Sequence, residues 1–325
     1  MCPGLPAGDS VSGCIDALAR EFERACLTYG HGTDNPDDEA AALVLFALGI
    51  DYDELPVACA RRVSAADRAR IRRLAGRRIR ERVPMAYLTG RTWFAGLEIR
   101  VTRAVLVPRS PIAELCESAF APWVRGADVR AVLDIGTGSG CIAVACARAF
   151  PRARVDAADV SARALEVAAD NVRRHRLRSR VHLVRSDVYS AIGRRRYDII
   201  VSNPPYVSSR EMRALPREYR HEPALGLAAG PRGLDVVARI LVDARAHLRD
   251  GGVLVVEVGD TRAEVERVWC DVPFTWLEFE RGGGGVFLLS AAELDAAGAA
   301  IRRGQPASRA GKRLRGRPRR RRVGG

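Results

Sequence analysis

The sequence predicts an α/β protein: a doubly wound, mostly parallel sheet with an antiparallel C-terminal hairpin, preceded by a small helical domain. Three observations predict it. From Ala131 onward, short apolar runs alternate with segments of helical period, the pattern of a parallel sheet with crossover helices. A glycine-rich corner, Asp134-Ile135-Gly136-Thr137-Gly138-Ser139-Gly140, follows the first of those runs and opens a helix. A rigid polar corner, Val201-Ser202-Asn203-Pro204-Pro205-Tyr206, follows a later run about 65 residues on. A proline pair cannot lie in a central strand, because neither residue donates to the ladder.

The elements follow in order. Residues 11–90 read as helical, with an apolar helix over Asp38–Leu48. Ile71, Leu74, Ala75 and Ile79 then fall on one helical face, with the arginines of that segment expected on the other. Thr92–Val107 alternates β-formers around Gly96 and reads as a hairpin linking two domains. Ala131–Ile135, Arg154–Ala158, Val181–Val184, Asp198–Val201 and Val253–Val258 are the expected buried strands. Helical spacing at Ile142, Ala145, Cys146 and Ala149 follows the first; Leu165, Ala168, Ala169 and Val172, with Ser161 as N-cap, follow the second. A further helix is expected around Leu234–Leu248. Phe274–Phe279 and Val286–Leu289, separated by Gly282–Gly285, supply the terminal hairpin. The expected division is a helical domain over 1–91, a β-hairpin linker over 92–110, a sheet domain over 111–297 and a disordered Arg-rich tail over 298–325.

Charge is concentrated in two places. Of the formal +14, residues 302–325 carry +11 and residues 61–82 carry +8, which leaves the remainder at −5. The globular part is therefore mildly acidic, which argues against a protein that grips nucleic acid along its whole surface. Lys312 is the only lysine, so the arginine preference reflects codon composition as much as binding. The eight cysteines show no Cys-x-x-Cys pair, so zinc is not expected and most read as buried thiols. The N-terminus lacks the pattern of a signal peptide, and the longest apolar run, Ala40–Ile50, is too short to span a bilayer. A cytoplasmic protein is expected.

The glycine corner allows close backbone approach to a ligand. Its Gly-x-Gly-x-Gly order departs from the dinucleotide fingerprint. Asp134 ends the first strand, where a carboxylate can receive a cationic amine, and Asp159 ends the second, where it can pair with two ribose hydroxyls. A carboxylate facing the loop would repel a pyrophosphate, so a nucleoside carrying an amino acid fits better than NAD. S-adenosylmethionine is such a molecule. Asp187, after the third strand, is a candidate for the adenine amino group, or equally a residue of a solvated turn.

The proline corner suits a planar nitrogen acceptor. An amide or exocyclic amine is a poor nucleophile because its lone pair is delocalised. Acceptors for its two N–H groups orient it and favour the positive charge that develops on nitrogen. The side-chain oxygen of Asn203 and the main-chain carbonyl of Pro204 can accept them; Pro205 stiffens the loop and Tyr206 can pack against the planar group.

With both corners in place, the chain resembles the class I S-adenosylmethionine-dependent methyltransferases of the HemK family, which methylate glutamine side-chain amides. The segments Gly30–Asn35, Pro84–Gly90, Trp93–Leu97, Val107–Glu114, Glu218–Pro223 and Pro273–Phe279 carry the likeness, over roughly residues 10–295. They resemble most the branch acting at N(5) of a glutamine in large-subunit ribosomal protein L-three. Release-factor relatives usually carry Pro-Arg-Pro, where this chain has Pro108-Arg109-Ser110-Pro111. The resemblance implies that Gly136, Thr137, Gly138, Gly140, Asp159 and Asn203 hold the cofactor, and that Asn203, Pro204, Pro205 and Tyr206 hold the glutamine. It also implies an aromatic residue after Asp187, where this chain has Val188 and then Tyr189. Arg232 replaces the usual acid before Gly233-Leu234-Asp235, and the Arg-rich tail lies outside the family pattern.

Three alternatives remain open at this point. One is a release-factor glutamine methyltransferase. Another is an adenine or cytosine amino methyltransferase, which needs a basic groove and a flipped base. The third is a non-catalytic assembly factor holding RNA through its basic helix and tail.

Overall fold

A computed structural model describes residues 10–304. The first helices are α1 (Val11–Arg24), α2 (Pro36–Leu48), α3 (Leu55–Ala58), α4 (Ala65–Glu81) and α5 (Met85–Thr89). Local signals start and stop them. Ser10, Asn35 and Ser64 cap α1, α2 and α4 by accepting from the backbone N–H three residues on. Gly49, at φ +65, ends α2 in the left-handed conformation. Their apolar faces form a separate core around Leu18, Phe22, Leu43 and Ile71.

Helix α4 departs from expectation at one residue. Arg78 does not join the other arginines in solvent; it is 1% exposed, ion-paired with Glu39 and 3.3 Å from Glu218, both also buried. Its Nη2 donates to the Thr28 carbonyl at 2.8 Å, and Thr28 N–H donates to Glu218 at 3.2 Å. An arginine one helical position from Ile79 reads as surface in sequence, but Glu218 lies 140 residues away and only the fold brings it there.

Strands β1 (Arg91–Phe94) and β2 (Leu97–Arg100) form the expected hairpin. Ala95 and Gly96 both take positive φ at its tip, as a tight two-residue turn requires. The expected β-character does not continue to residue 107. Val101, Val105 and Val107 are buried in irregular chain, packed into the core of the sheet domain. Asn171 locks the hairpin there: its Oδ1 accepts from Arg100 N–H at 2.8 Å and its Nδ2 donates to Arg100 O at 2.9 Å.

The sheet domain runs α6 (Ile112–Glu117), β3 (Ala131–Ile135), α7 (Cys141–Ala149), β4 (Arg154–Asp159), α8 (Ala162–Arg174), β5 (Val181–Arg185), β6 (Tyr197–Ser202), α9 (Glu211–Ala214), α10 (Ala224–Leu227), α11 (Asp235–His247), β7 (Leu248–Glu257), α12 (Arg262–Val268), β8 (Thr275–Leu277), β9 (Val286–Ser290) and α13 (Ala291–Arg303). The sheet order is β5-β4-β3-β6-β7-β9-β8, parallel except for β9, which is antiparallel to both β7 and β8. Thus β9 inserts between β7 and β8. Alternate strand residues serve two cores. Val132, Val155, Ile199 and Val255 face α6, α7 and α8; Leu133, Ile200, Leu254 and Phe287 face α11 and α13. Only Thr275–Leu277 of the expected Phe274–Phe279 strand is paired. Among the described residues no helix is long and apolar enough to cross a membrane.

The expected tail boundary at residue 298 falls inside α13. A capping box between Ser290 and Glu293 starts that helix, and Leu294, Ala297 and Ile301 bury its inner face. Trp269 Nε1 donates to Ile301 O at 3.0 Å, closing its last turn. The rest of the expected tail, 305–325, lies outside the described residues.

Arg78→Ala would strand Glu39 in the interior without a countercharge and leave Glu218 with Arg82 alone, at 3.4 Å. It is expected to lower the unfolding free energy by about 3–5 kcal/mol, read from urea denaturation. A loss under about 1 kcal/mol would show that the buried network is idle.

Candidate active site

The sheet order reverses direction between β3 and β6, so the carboxyl ends of these neighbours open a crevice. Both corners singled out in the sequence sit there. Ser202 Oγ, the last side chain of β6, donates to Ile135 O at the end of β3 at 2.7 Å. A Cβ at Gly136 would stand 3.9 Å from Asn203 O, so the two loops are in contact.

Gly136, Gly138 and Gly140 all take positive φ. Gly136 N–H and Thr137 N–H both donate to Ala158 O, which folds the loop over the end of β4. Gly140 is the position where glycine is forced: a Cβ would meet the Ala168 Cβ at 3.1 Å and its Cα at 3.3 Å. Helix α7 therefore begins hard against α8.

Asp134 is fully buried. Its Oδ2 accepts from Thr137 Oγ1 at 2.5 Å and Ala143 N–H at 3.1 Å, whereas its Oδ1 has no partner among the described residues. Burial pushes this carboxyl up to about 7, against the pull of those two donors and with a smaller push from the Asp159 charge. A buried, orphaned carboxylate oxygen is costly unless a donor reaches it. A cationic amine at the glycine loop would supply that donor.

The Asp159 carboxylate accepts from Gly138 N–H at 2.9 Å and Ser161 N–H at 2.8 Å. Burial raises its pKa, and the backbone donors of Ser161, Gly138 and Val160 oppose the rise. These bonds aim the carboxylate across the loop and leave lone pairs for hydroxyl donors. Asp187 is less committed. Ser186 N–H donates to Asp159 O, which places Asp187 beside the same edge, but its side chain is exposed and ion-paired with Arg239 at 2.8 Å. Tyr189 turns away: it stacks on His247 at 4.5 Å and donates to Ile240 O at 3.3 Å. Val188 is buried at φ +53, a costly conformation for a β-branched residue, and Ser186 Oγ donates to its carbonyl at 2.8 Å.

Asn203 is half-buried, and its side-chain amide makes no hydrogen bond to any described residue. Pro204 is buried and Pro205 half-buried. Tyr206 Oη lies 3.2 Å from Glu257 Oε1, and Glu257 Oε2 accepts from Ser110 Oγ. Burial pushes the Glu257 carboxyl up to about 7, despite the opposing pull of Ser110, Tyr206 and Arg109.

Spacing in the sequence carries no signal for the brace behind this corner. Arg109 donates two parallel bonds to Glu222, at 2.7 and 2.8 Å, and its guanidinium lies over the Tyr219 ring at 5.1 Å. Val107 N–H donates to Glu222 at 3.0 Å, and His31 Nε2 stands 3.7 Å away. Burial alone would raise Glu222, but His31 and Arg109 outweigh it and hold the carboxyl at about 2. Three segments of the sequence likeness, around His31, Arg109 and Glu222, thus meet at one carboxylate.

Asp134 and Asp159 thus both bond the glycine loop, and the Asn203–Tyr206 loop meets it at the main-chain carbonyl of Asn203. Residues 27–90 match the family described as PrmC N-terminal domain, and residues 119–217 the family described as Methyltransferase small domain. The chain is 46% identical over 291 residues to the ribosomal protein uL3 glutamine methyltransferase of Xylella fastidiosa (strain Temecula1), covering 89% of this chain and 93% of that one. It is 45% identical over 298 residues to the protein of the same name from Xanthomonas campestris pv. campestris, covering 91% and 96%. With that of Bordetella pertussis (strain Tohama I) it shares 47% over 272 residues, covering 83% and 91%. Likeness of that depth, over nearly the whole of each relative, settles the matter: the chain belongs to the uL3 glutamine methyltransferase family.

Proposed function

We propose that this protein transfers a methyl group from S-adenosylmethionine to the side-chain amide nitrogen, N(5), of a glutamine in large-subunit ribosomal protein uL3. The observation that carries it is the meeting of the Gly136–Gly140 loop with the main-chain carbonyl of Asn203, in a chain 45–47% identical to uL3 glutamine methyltransferases. When bound, the cofactor supplies a sulfonium-activated methyl group.

The protein's share of the work is placement. The orphaned Asp134 Oδ1 suits the cofactor's ammonium, Asp159 the ribose diol, and the backbone of Gly136, Thr137, Gly138 and Gly140 the close approach between them. Asp187 shares one oxygen with Arg239 and has the other for the adenine amine. On the acceptor side, Asn203 Oδ1 and Pro204 O accept the two amide hydrogens, so the nitrogen lone pair points at the methyl carbon. Those acceptors favour the positive charge that grows on nitrogen, and the surplus proton passes to solvent after transfer. Pro204 and Pro205 keep the loop from having to order itself, and Tyr206 packs against the planar amide.

The helices before residue 90 supply recognition of the target protein, and the sheet domain supplies the transfer. This activity belongs in the cytoplasm with ribosome assembly. The Arg-rich segment beyond Arg302 adds charge-driven attraction to RNA; truncation after Gly304 leaves α13 whole and should flatten the salt dependence of RNA binding.

Labelled cofactor incubated separately with unassembled uL3, a release factor and naked DNA or RNA tests the reading. One glutamine of uL3 should gain a methyl group, and preferential labelling of either other substrate would overturn the assignment. Asn203→Ala should lower kcat by roughly 10²–10³ with near-normal cofactor affinity. An unchanged rate would remove Asn203 from the acceptor site.

The Asp134 carboxyl, raised to about 7, gives a signed pH dependence. Below that pH it is neutral and holds an ammonium weakly, so cofactor affinity should climb between pH 6 and 8. In calorimetry Asp134→Asn should abolish the climb; a climb that persists assigns it elsewhere. The free protein should lose stability as pH rises from about 4 to about 7 and level off above that, because the folded state holds the carboxyl proton that the unfolded chain releases at about 3.8.

A further inference from the structure

The interdomain linker sits next to the acceptor corner, and two adjacent residues of it reach opposite ends of the loop that follows. Arg109 holds Glu222 at the far end of that loop. Ser110 reaches Glu257, and Glu257 reaches Tyr206 at the near end. We propose that Ser110 and Glu257 are positioning residues for the reaction: the Ser110 hydroxyl orients the Glu257 carboxyl, which in turn fixes Tyr206 beside the acceptor amide. The proposal rests on the reading of Tyr206 as an acceptor contact.

Proton bookkeeping makes the chain directional. Ser110 Oγ accepts from Ile112 N–H at 3.2 Å, so its single proton is free for Glu257 Oε2. All three groups are withdrawn from solvent: Ser110 is 7% exposed, Glu257 4%, and Tyr206 half-buried. Glu257 Oε1 is then left to meet the phenol alone. A buried carboxyl with both oxygens engaged has no second orientation available at low cost.

The rest of Tyr206 is held as tightly. A Cβ at Gly259 would stand 2.7 Å from its Cε2 and 2.9 Å from its Cζ, so main chain presses on the ring. A Cβ at Gly233 would stand 2.3 Å from the Tyr206 carbonyl, and Thr261 Oγ1, which donates to Val258 O, lies 3.4 Å from that carbonyl. Gly259 thus lies along the hydroxyl half of the ring and Gly233 along its carbonyl, while Glu257 Oε1 meets the hydroxyl itself.

Ser110 also marks a chemical difference within the family. A proline at this position, as in the Pro-Arg-Pro pattern, has no hydroxyl and cannot donate to Glu257. In this chain the linker is bonded to the acceptor corner through the Ser110 side chain. The linker thus reaches Tyr206 through two hydrogen bonds in series, Ser110 to Glu257 and Glu257 to Tyr206.

The test is a double-mutant cycle on full-length protein, with uL3 as acceptor and cofactor affinity measured by calorimetry. Ser110→Ala should lower kcat about tenfold, the scale of one buried hydrogen bond, while cofactor affinity stays within error and the protein remains folded at the assay temperature. Ser110→Thr keeps a hydroxyl and should restore most of the rate. Tyr206→Phe should show a similar loss, and the double variant should be no slower than either single one. Glu257→Gln keeps both hydrogen-bonding atoms and should outperform Glu257→Leu. Additive losses in the double variant, or a threonine no better than alanine, would overturn the proposal. If Tyr206→Phe is silent while Asn203→Ala is crippled, the acceptor role of Tyr206 itself fails. If Tyr206→Phe is impaired and Ser110→Ala is not, only the positioning chain fails.

Discussion

The pairing of β3 with β6 is the constraint on which the site depends. Parallel pairing at the point where strand order reverses aligns the ends of two strands whose following loops have different chemistry. One loop is glycine-rich and exposes backbone; the other is stiffened by two prolines and exposes an amide. The Ser202–Ile135 hydrogen bond ties the strand ends together at that point. A register slip of one residue would turn Asp134 away from its loop and bury Leu133 on the wrong face.

Buried acids organise the remainder, and each is resolved differently. Glu39, Glu218 and Glu222 are met by arginines, so they hold charge in the interior and join the helical domain to the loop after the acceptor corner. Breaking one such pair is costly because it strands the other partner. Glu257 has hydroxyl partners and no ion pair among the described residues, so burial outweighs the weaker pull of Arg109 and moves it toward neutrality. Asp134 keeps one oxygen without any partner among the described residues.

The sheet strands were legible in the sequence because burial on both faces leaves continuous apolar runs, and the helices between them repeat at 3.6 residues. Both corners were legible for a local reason: glycine and proline constrain the backbone wherever they occur. The misreadings have physical causes too. Arg78 reads as surface because a charge on an amphipathic helix usually is, and its countercharges come from distant chain. Val101, Val105 and Val107 read as strand because β-branched residues suit one, yet their burial comes from packing in irregular chain. The end of α13 was hidden because alanine and glycine near 298 carry little apolar signal, while the burial of Ile301 and the bond to Trp269 are tertiary.

The sequence by itself determined the alternation of strands and helices, the positions of the two corners, and the residue types that suit a methyl donor and an amide acceptor. These are short-range properties, written in composition and spacing. Only the tertiary structure decided that Asp134 keeps an orphaned oxygen, that Tyr189 turns away from the cofactor edge, and that Arg109 and Ser110 hold Glu222 and Glu257. Each of those depends on which side chains meet across more than fifty residues of chain, or on what fails to reach a buried atom. No local pattern encodes either.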